Sequence, residues 1–142
     1  MPYKKLRGKS VDEYRSLFDE TYCKSPISTF DGIEVKFYSN MFEHAFYESY
    51  DNMKKDKSLF SYNRAEKIMW IKETLEDPTA ILKQGYLKKT KSYTDSRRVA
   101  IVKNDYVVII RFYDISFKKA KFITAFEAYN SINAILGSPD WV

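Results

Sequence analysis

The sequence predicts an α+β protein, with N-terminal helices packed on one face of an antiparallel sheet of about four strands and a short C-terminal helix. Helix-start signals and apolar residues at helical spacing dominate residues 10–76, whereas β-branched runs dominate residues 99–102, 106–112 and 121–126. The first two of these runs flank Asn104-Asp105, residue types that tolerate the positive φ of a two-residue hairpin turn.

In chain order, residues 1–9 are basic and patternless, a frayed arm. Ser10 to Glu13 reads as a capping box, after which Val11, Tyr14, Phe18 and Tyr22 recur at helical spacing until Pro26. Beyond the turn signal Asp31-Gly32, Ile33, Val35 and Phe37 alternate with polar residues and predict a short strand or extended lead-in, with no readable place in a sheet. A second helix is expected from Asn40, with Glu43 completing a weaker capping box, to about residue 56. Its buried stripe is Phe42, Ala45, Phe46, Ser49 and Met53. His44 falls on the opposite side, four residues before Glu48. Asn63 to Glu66 reads as the capping box of a third helix with the stripe Ile68, Ile71 and Leu75, ended by Asp77-Pro78; Trp70 lies off that stripe. Residues 80–87 read as an outer strand interrupted by Gly85, and residues 88–96, KKTKSYTDS, as a long basic loop. A short helix over 131–136 is closed by Gly137, and Ser138-Pro139-Asp140-Trp141 folds back as a terminal plug. The chain is read as one domain over 1–142, with an arm, helix and lead-in over 1–36 and a core over 37–142.

The hairpin fixes a register. With Asn104 and Asp105 as the turn, Lys103 stands opposite Tyr106, Ile101 opposite Val108 and Val99 opposite Ile110 on one face. Val102 opposite Val107, Ala100 opposite Ile109 and Arg98 opposite Arg111 make the other. The third strand is expected to place Ile123 and Ala125 on the first face and Phe122, Thr124 and Phe126 on the second. The first face is almost wholly apolar and calls for a helical cover. The second is apolar at one end and cationic at the other, which suits a cleft that receives an anion.

Charge agrees with that reading. Lys and Arg exceed Asp and Glu by 24 to 19, a net charge of +5 that favours a polyanionic partner. Lys88, Lys89, Lys91 and Arg97 surround Tyr93 on the approach to Arg98 and, with Phe126, are the candidate substrate-binding residues. A solvated charge run is the ordinary alternative. The 12 Tyr and 10 Phe offer rings for stacking on bases, although compositional bias and core packing account for most of them. The single cysteine, Cys23, rules out an intramolecular disulfide, fits a reducing compartment and reads as a small buried hydrophobe. No apolar run approaches the roughly 18 residues of a membrane span, and the N-terminus lacks the apolar segment of a signal peptide. A soluble, cytoplasmic protein without a membrane partner is expected.

The motifs of P-loop nucleotide hydrolysis, dinucleotide binding, nucleophile-elbow hydrolases and zinc proteases are absent from the sequence. His44 and Cys23 have no metal-ligand spacing, so neither a metal nor another cofactor is expected. A lone helix histidine, strand arginines and a threonine on the same sheet suit metal-independent RNA cleavage. There the ribose 2′-OH attacks the adjacent phosphate, and the protein supplies an acid or base near neutrality, cations and an orienting donor. In this reading His44 is the acid or base, Arg98 and Arg111 hold the phosphate, and Thr124 orients it. The alternative for His44 is a surface residue with an incidental acidic neighbour.

The order of helices followed by an antiparallel sheet, with FEHAF at 42–46, RRVAIVKNDYVVII at 97–110 and KFITAFEA at 121–128, resembles the superfamily grouping barnase, EndoU, colicin-type tRNases and RelE-type toxins. Within it the chain looks most like the phage-associated nuclease branch, over residues 37–141. The resemblance implies a RelE/barnase-like fold, a phage- or toxin-related endoribonuclease that needs no metal, RNA as substrate, and an inhibitor or immunity protein as a further partner. It matches His44 to the family's helix histidine, Arg98 or Arg111 to its strand cation, and Thr124 to the hydroxyl of T-A-[FY]. Glu127 stands where such sequences often have proline, and neither a second histidine of the EndoU kind nor a barnase-type glutamate base has a counterpart. A non-catalytic RNA-binding module of the same fold, and a phage structural or interaction protein, are the alternatives.

Overall fold

The Ser10 capping box closes as expected. The Ser10 hydroxyl accepts from the Glu13 N–H at 3.2 Å, and the Glu13 carboxylate accepts from the Ser10 N–H at 2.9 Å, starting α1 (Val11–Phe18). The computed structural model describes residues 3–48, 59–87 and 92–141, with the backbone alone described at 86–87 and 92–97. A π-helical turn, Asp19–Cys23, prolongs α1 and keeps Tyr22 buried with Tyr14 and Phe18. The lead-in is a hairpin: β1 (Ile27–Ser28) pairs antiparallel with β2 (Glu34–Lys36). Gly32, in its turn, takes a φ of 92° that a side chain would resist.

The second helix is shorter than its spacing predicts. Helix α2 spans Met41–Phe46, Asn40 makes no side-chain cap, and Glu43 pairs with Arg15 instead. At Tyr47 the chain becomes extended, and β3 (Tyr47–Glu48) pairs with β4 (Leu59–Phe60). Aromatic packing accounts for the change: Phe60 lies against Phe42, Tyr47 and Tyr62 at centroid separations of 5.9, 5.3 and 4.8 Å. Ser49 and Met53, the rest of the expected stripe, lie outside the described residues.

The third helix is divided in two. Ser61 rather than Asn63 caps α3 (Tyr62–Ala65), its hydroxyl accepting from the Arg64 N–H at 3.2 Å. A turn at Glu66 and Lys67 precedes α4 (Ile68–Glu76). The Asn63 carbonyl accepts from the Lys67 ammonium at 3.0 Å, which takes its side chain away from a capping role. Ile68, Ile71 and Leu75 form the buried stripe as read, and Trp70 finds its second surface against Tyr3 and Tyr106.

Asp77, just past α4, ties the N-terminal arm to the sheet. Its carboxylate accepts from the Thr79 hydroxyl at 2.6 Å, from the Tyr3 hydroxyl and from the Thr79 N–H at 2.8 Å, and it faces the Lys103 ammonium at 3.4 Å. The hydrogen bonds from the Thr79 and Tyr3 hydroxyls hold its carboxyl far below the usual carboxylate range. A depressed folded-state value stabilises the fold above the unfolded aspartate value of about 3.9 and is lost as pH falls below it. Asp77→Asn is therefore expected to cost about 1–2 kcal/mol at neutral pH and to flatten the acid limb of a melting-temperature profile between pH 5 and pH 2.

Strands β5 (Ile81–Leu87), β6 (Ser92–Lys103), β7 (Tyr106–Asp114) and β8 (Lys119–Glu127) complete a six-stranded sheet of order β1-β2-β8-β7-β6-β5. The sheet exceeds the expected four strands because the lead-in joins it, β2 running parallel to β8 with Val35 opposite Ala120. Each expected hairpin pair is present, from Lys103 opposite Tyr106 to Arg98 opposite Arg111, and Asn104 takes a φ of 55°. The predicted basic loop is partly strand: 92–94 pair with 85–87 beyond an irregularity after Gln84, whereas 88–91 lie outside the described residues.

A second correction comes from a bulge in β8. Thr124 faces Ile109 but Phe122 faces Ile110, so Ile123 is the extra residue. Phe122 consequently enters the main core, stacked on Phe37 at 4.7 Å, and Ile123 packs on the opposite face. Helices α1, α2 and α4 cover the first face, burying Val99, Ile101, Val108 and Ile110. On the second face, Ile132, Ile135 and Leu136 of α5 (Ile132–Leu136) cover Ala100, Val102, Val107 and Ile109. The terminal segment does fold back: the Gln84 N–H donates to the Pro139 carbonyl at 2.8 Å, the Trp141 N–H to Leu82 at 3.1 Å, and the Trp141 ring stacks on Phe112. Among the described residues, no helix is long and apolar enough to cross a membrane.

Candidate functional site

The pairing of β6, β7 and β8 places Arg98, Arg111 and Lys121 in one row across the end of the second face that α5 leaves uncovered. Arg111 is exposed, and Arg98 and Lys121 are half-buried. Among the described residues, no carboxylate lies within ion-pair distance of any of the three. Like charges directly opposite on a sheet repel. Burial and then the Arg111 charge hold the Arg98 guanidinium below its ordinary value. Its aliphatic stem lies over Gly85, where an added Cβ would come within 2.5 Å of Arg98 Cγ. Glycine at that position is what lets the arginine lie across β5. Tyr113, two residues beyond Arg111 on the same strand face, is 53 % exposed, and Phe117 in the following turn is 74 % exposed.

The expected site residues divide between two sides of the sheet. Thr124 lies on the second face opposite Ile109, toward the apolar end and next to the cationic row. Phe126 faces Val107 and packs partly buried with the apolar cluster under α5. His44, by contrast, is carried by α2, whose Phe42, Ala45 and Phe46 pack into the core on the first face. Glu48 lies beyond the end of that helix and pairs with Arg64 at 3.3 Å, so it is not the helical neighbour the spacing suggested. The structure thus joins Arg98, Arg111 and Thr124 and separates them from His44. Lys88, Lys89 and Lys91 lie outside the described residues, and Tyr93 and Arg97 are described as β6 backbone. Cys23 is partly buried, and burial followed by the Asp19 charge pushes its thiol up to about 11, which keeps it protonated.

Tyr113 and Lys121 were missed: period-two alternation from Arg111 would have found Tyr113, whereas Lys121 joins the row only because of the β8 bulge, which alternation does not show. A polar pocket at the opposite end of the sheet was missed as well. There Lys67, 3 % exposed, sits between Asn63 and the Glu127 carboxylate. Burial alone would raise the Glu127 carboxyl, but hydrogen bonds from Lys67 and Tyr129 outweigh it and hold the group below its ordinary value. Lys67 is hidden in sequence because it falls at a helix break that apolar spacing reads through.

No family model matches the chain, and no curated protein or solved structure matches it either.

Proposed function

We propose that the protein binds single-stranded RNA on the cationic row, with Arg98, Arg111 and Lys121 on the phosphate backbone and Tyr113 stacked on a base. The observation that carries this is the row itself, in which three side chains repel across adjacent strands and a polyanion offsets the repulsion. Exposed rings beside it favour single strands, whose bases are free to stack. Thr124, next to the row, supplies a neutral donor. Cleavage through His44, which the resemblance to the phage-associated nucleases implies, has no support in this geometry. A phosphate seated on the row lies on the far side of the sheet from α2.

The test is to incubate the purified protein with labelled single-stranded RNA in EDTA. Intact RNA is expected to be retained, with log K falling against log salt at a slope of about −2 for three phosphates on a single strand. His44→Ala is expected to leave that affinity unchanged. RNA cleaved in EDTA by the native protein and left whole by His44→Ala would overturn this reading in favour of the nuclease.

A further inference from the structure

The cationic row does not end at β8. Strand β2 runs parallel to β8 with Val35 opposite Ala120 and Lys36 opposite Lys121. Val35 and Ala120 both enter the core, so the alternation of each strand brings Lys36 and Lys121 out together on the second face. Arg98, Arg111, Lys121 and Lys36 therefore stand side by side on β6, β7, β8 and β2, across three strand spacings or about 14 Å. Lys36 is exposed, and among the described residues no carboxylate lies within ion-pair distance of it. Of the acids beyond the row, Glu34 is matched by Lys119 at 3.8 Å, Asp114 accepts from the Phe117 N–H at 3.2 Å, and Asp31 accepts from the Thr29 hydroxyl.

A ring stands at this end of the row. The Lys36 ammonium lies 5.4 Å from the centroid of Tyr38, which is 43 % exposed. The mount of that ring is fixed. Phe37 before it is buried against Tyr22 and Phe122 at 4.6 and 4.7 Å, and the Tyr38 carbonyl accepts from the Met41 N–H at 2.9 Å. A ring held by its backbone and open to solvent loses little freedom when a base stacks on it. On the same face α5 covers the apolar end of β6, β7 and β8, which closes a path along the strands and leaves the one across them. We propose that bound single-stranded RNA spans the four strands between Arg98 and Lys36, with a further phosphate on Lys36 and a base beyond it stacked on Tyr38. This path rests on the RNA reading of the row and gives it a direction, a length and a second stacking ring.

The experiment measures binding of the intact protein to oligouridine and to inorganic polyphosphate, which carries the charge without the bases, over a salt series. The fourth cation adds about 0.7 to the magnitude of the oligouridine slope expected for three. Lys36→Met is expected to remove that increment and to weaken both ligands. Lys4→Met, which takes the same charge from the N-terminal arm, is expected to change neither. Tyr38→Leu is expected to weaken oligouridine about fivefold or more and to leave polyphosphate unchanged. Photocrosslinking of the native protein to a thiouridine-substituted oligouridine, with the modified peptide mapped, is expected to label Tyr38 and depends on no variant folding. Oligouridine binding that needs Arg111 but is indifferent to Lys36 and Tyr38, with no label on Tyr38, overturns the extended path and leaves the three-residue row standing. Absence of oligouridine binding by the native protein overturns both.

Discussion

Arg111→Met is expected to weaken single-stranded RNA binding by about tenfold or more and to reduce the magnitude of the salt slope by about 0.7, while leaving the unliganded fold as stable or more so. The two halves of this result have one cause. Arg111 stands between Arg98 and Lys121 and is exposed, so its removal relieves repulsion on both sides and opens no cavity. In the complex the same residue is the central cation of the row, and its planar fork matches phosphate oxygens in a way an ammonium does not. Phosphate or sulfate should raise the melting temperature of the native protein more than chloride at equal ionic strength, and Arg111→Met should abolish that increment. Filter binding over a salt series and thermal melts in the three anions check both halves. Strong destabilisation with the anion response intact would make Arg111 a structural residue and move the binding face elsewhere.

Phe18→Ala is expected to destabilise the protein by about 3–5 kcal/mol. Its ring is fully buried, with Tyr22, Phe37, Phe42, Phe46 and Phe122 at centroid separations of 5.5, 6.0, 5.8, 5.9 and 6.4 Å. Those neighbours come from the first helix, the lead-in, α2 and β8, so the cavity left by alanine has walls in four separate segments and cannot collapse by moving one of them. Urea denaturation followed by tryptophan fluorescence measures the loss. Residues 11–36 thus share the core of the rest of the chain.

What was legible in the sequence was local. The hairpin register followed from one turn and strict alternation, and it brought Arg98 opposite Arg111 without any knowledge of the rest of the fold. The Ser10 cap and the Ile68, Ile71 and Leu75 stripe were readable for the same reason, since partners within four residues determine them. Readings failed where distant contacts overrode local preference. Helix α2 stops at Phe46 because Tyr47 meets Phe60, and Phe122 turns inward because a bulge, invisible in alternation, inverts the start of β8. The side on which His44 would lie was likewise unreadable, because helical spacing gives a helix its buried stripe but not the sheet face on which that stripe rests.

The run of the terminal segment along β5 governs how this molecule meets its own copies. An unpaired strand edge is a template on which another chain can add a strand, the first step of uncontrolled association. Here the Gln84 N–H and the Leu82 carbonyl are already committed to Pro139 and Trp141, and Lys83 is held by Asp140. The opposite border of the sheet is β1, two residues long and too short to recruit a partner strand. The terminal segment thus takes up Leu82 and Gln84 of the β5 border before another chain can pair with them, while the cationic face stays open.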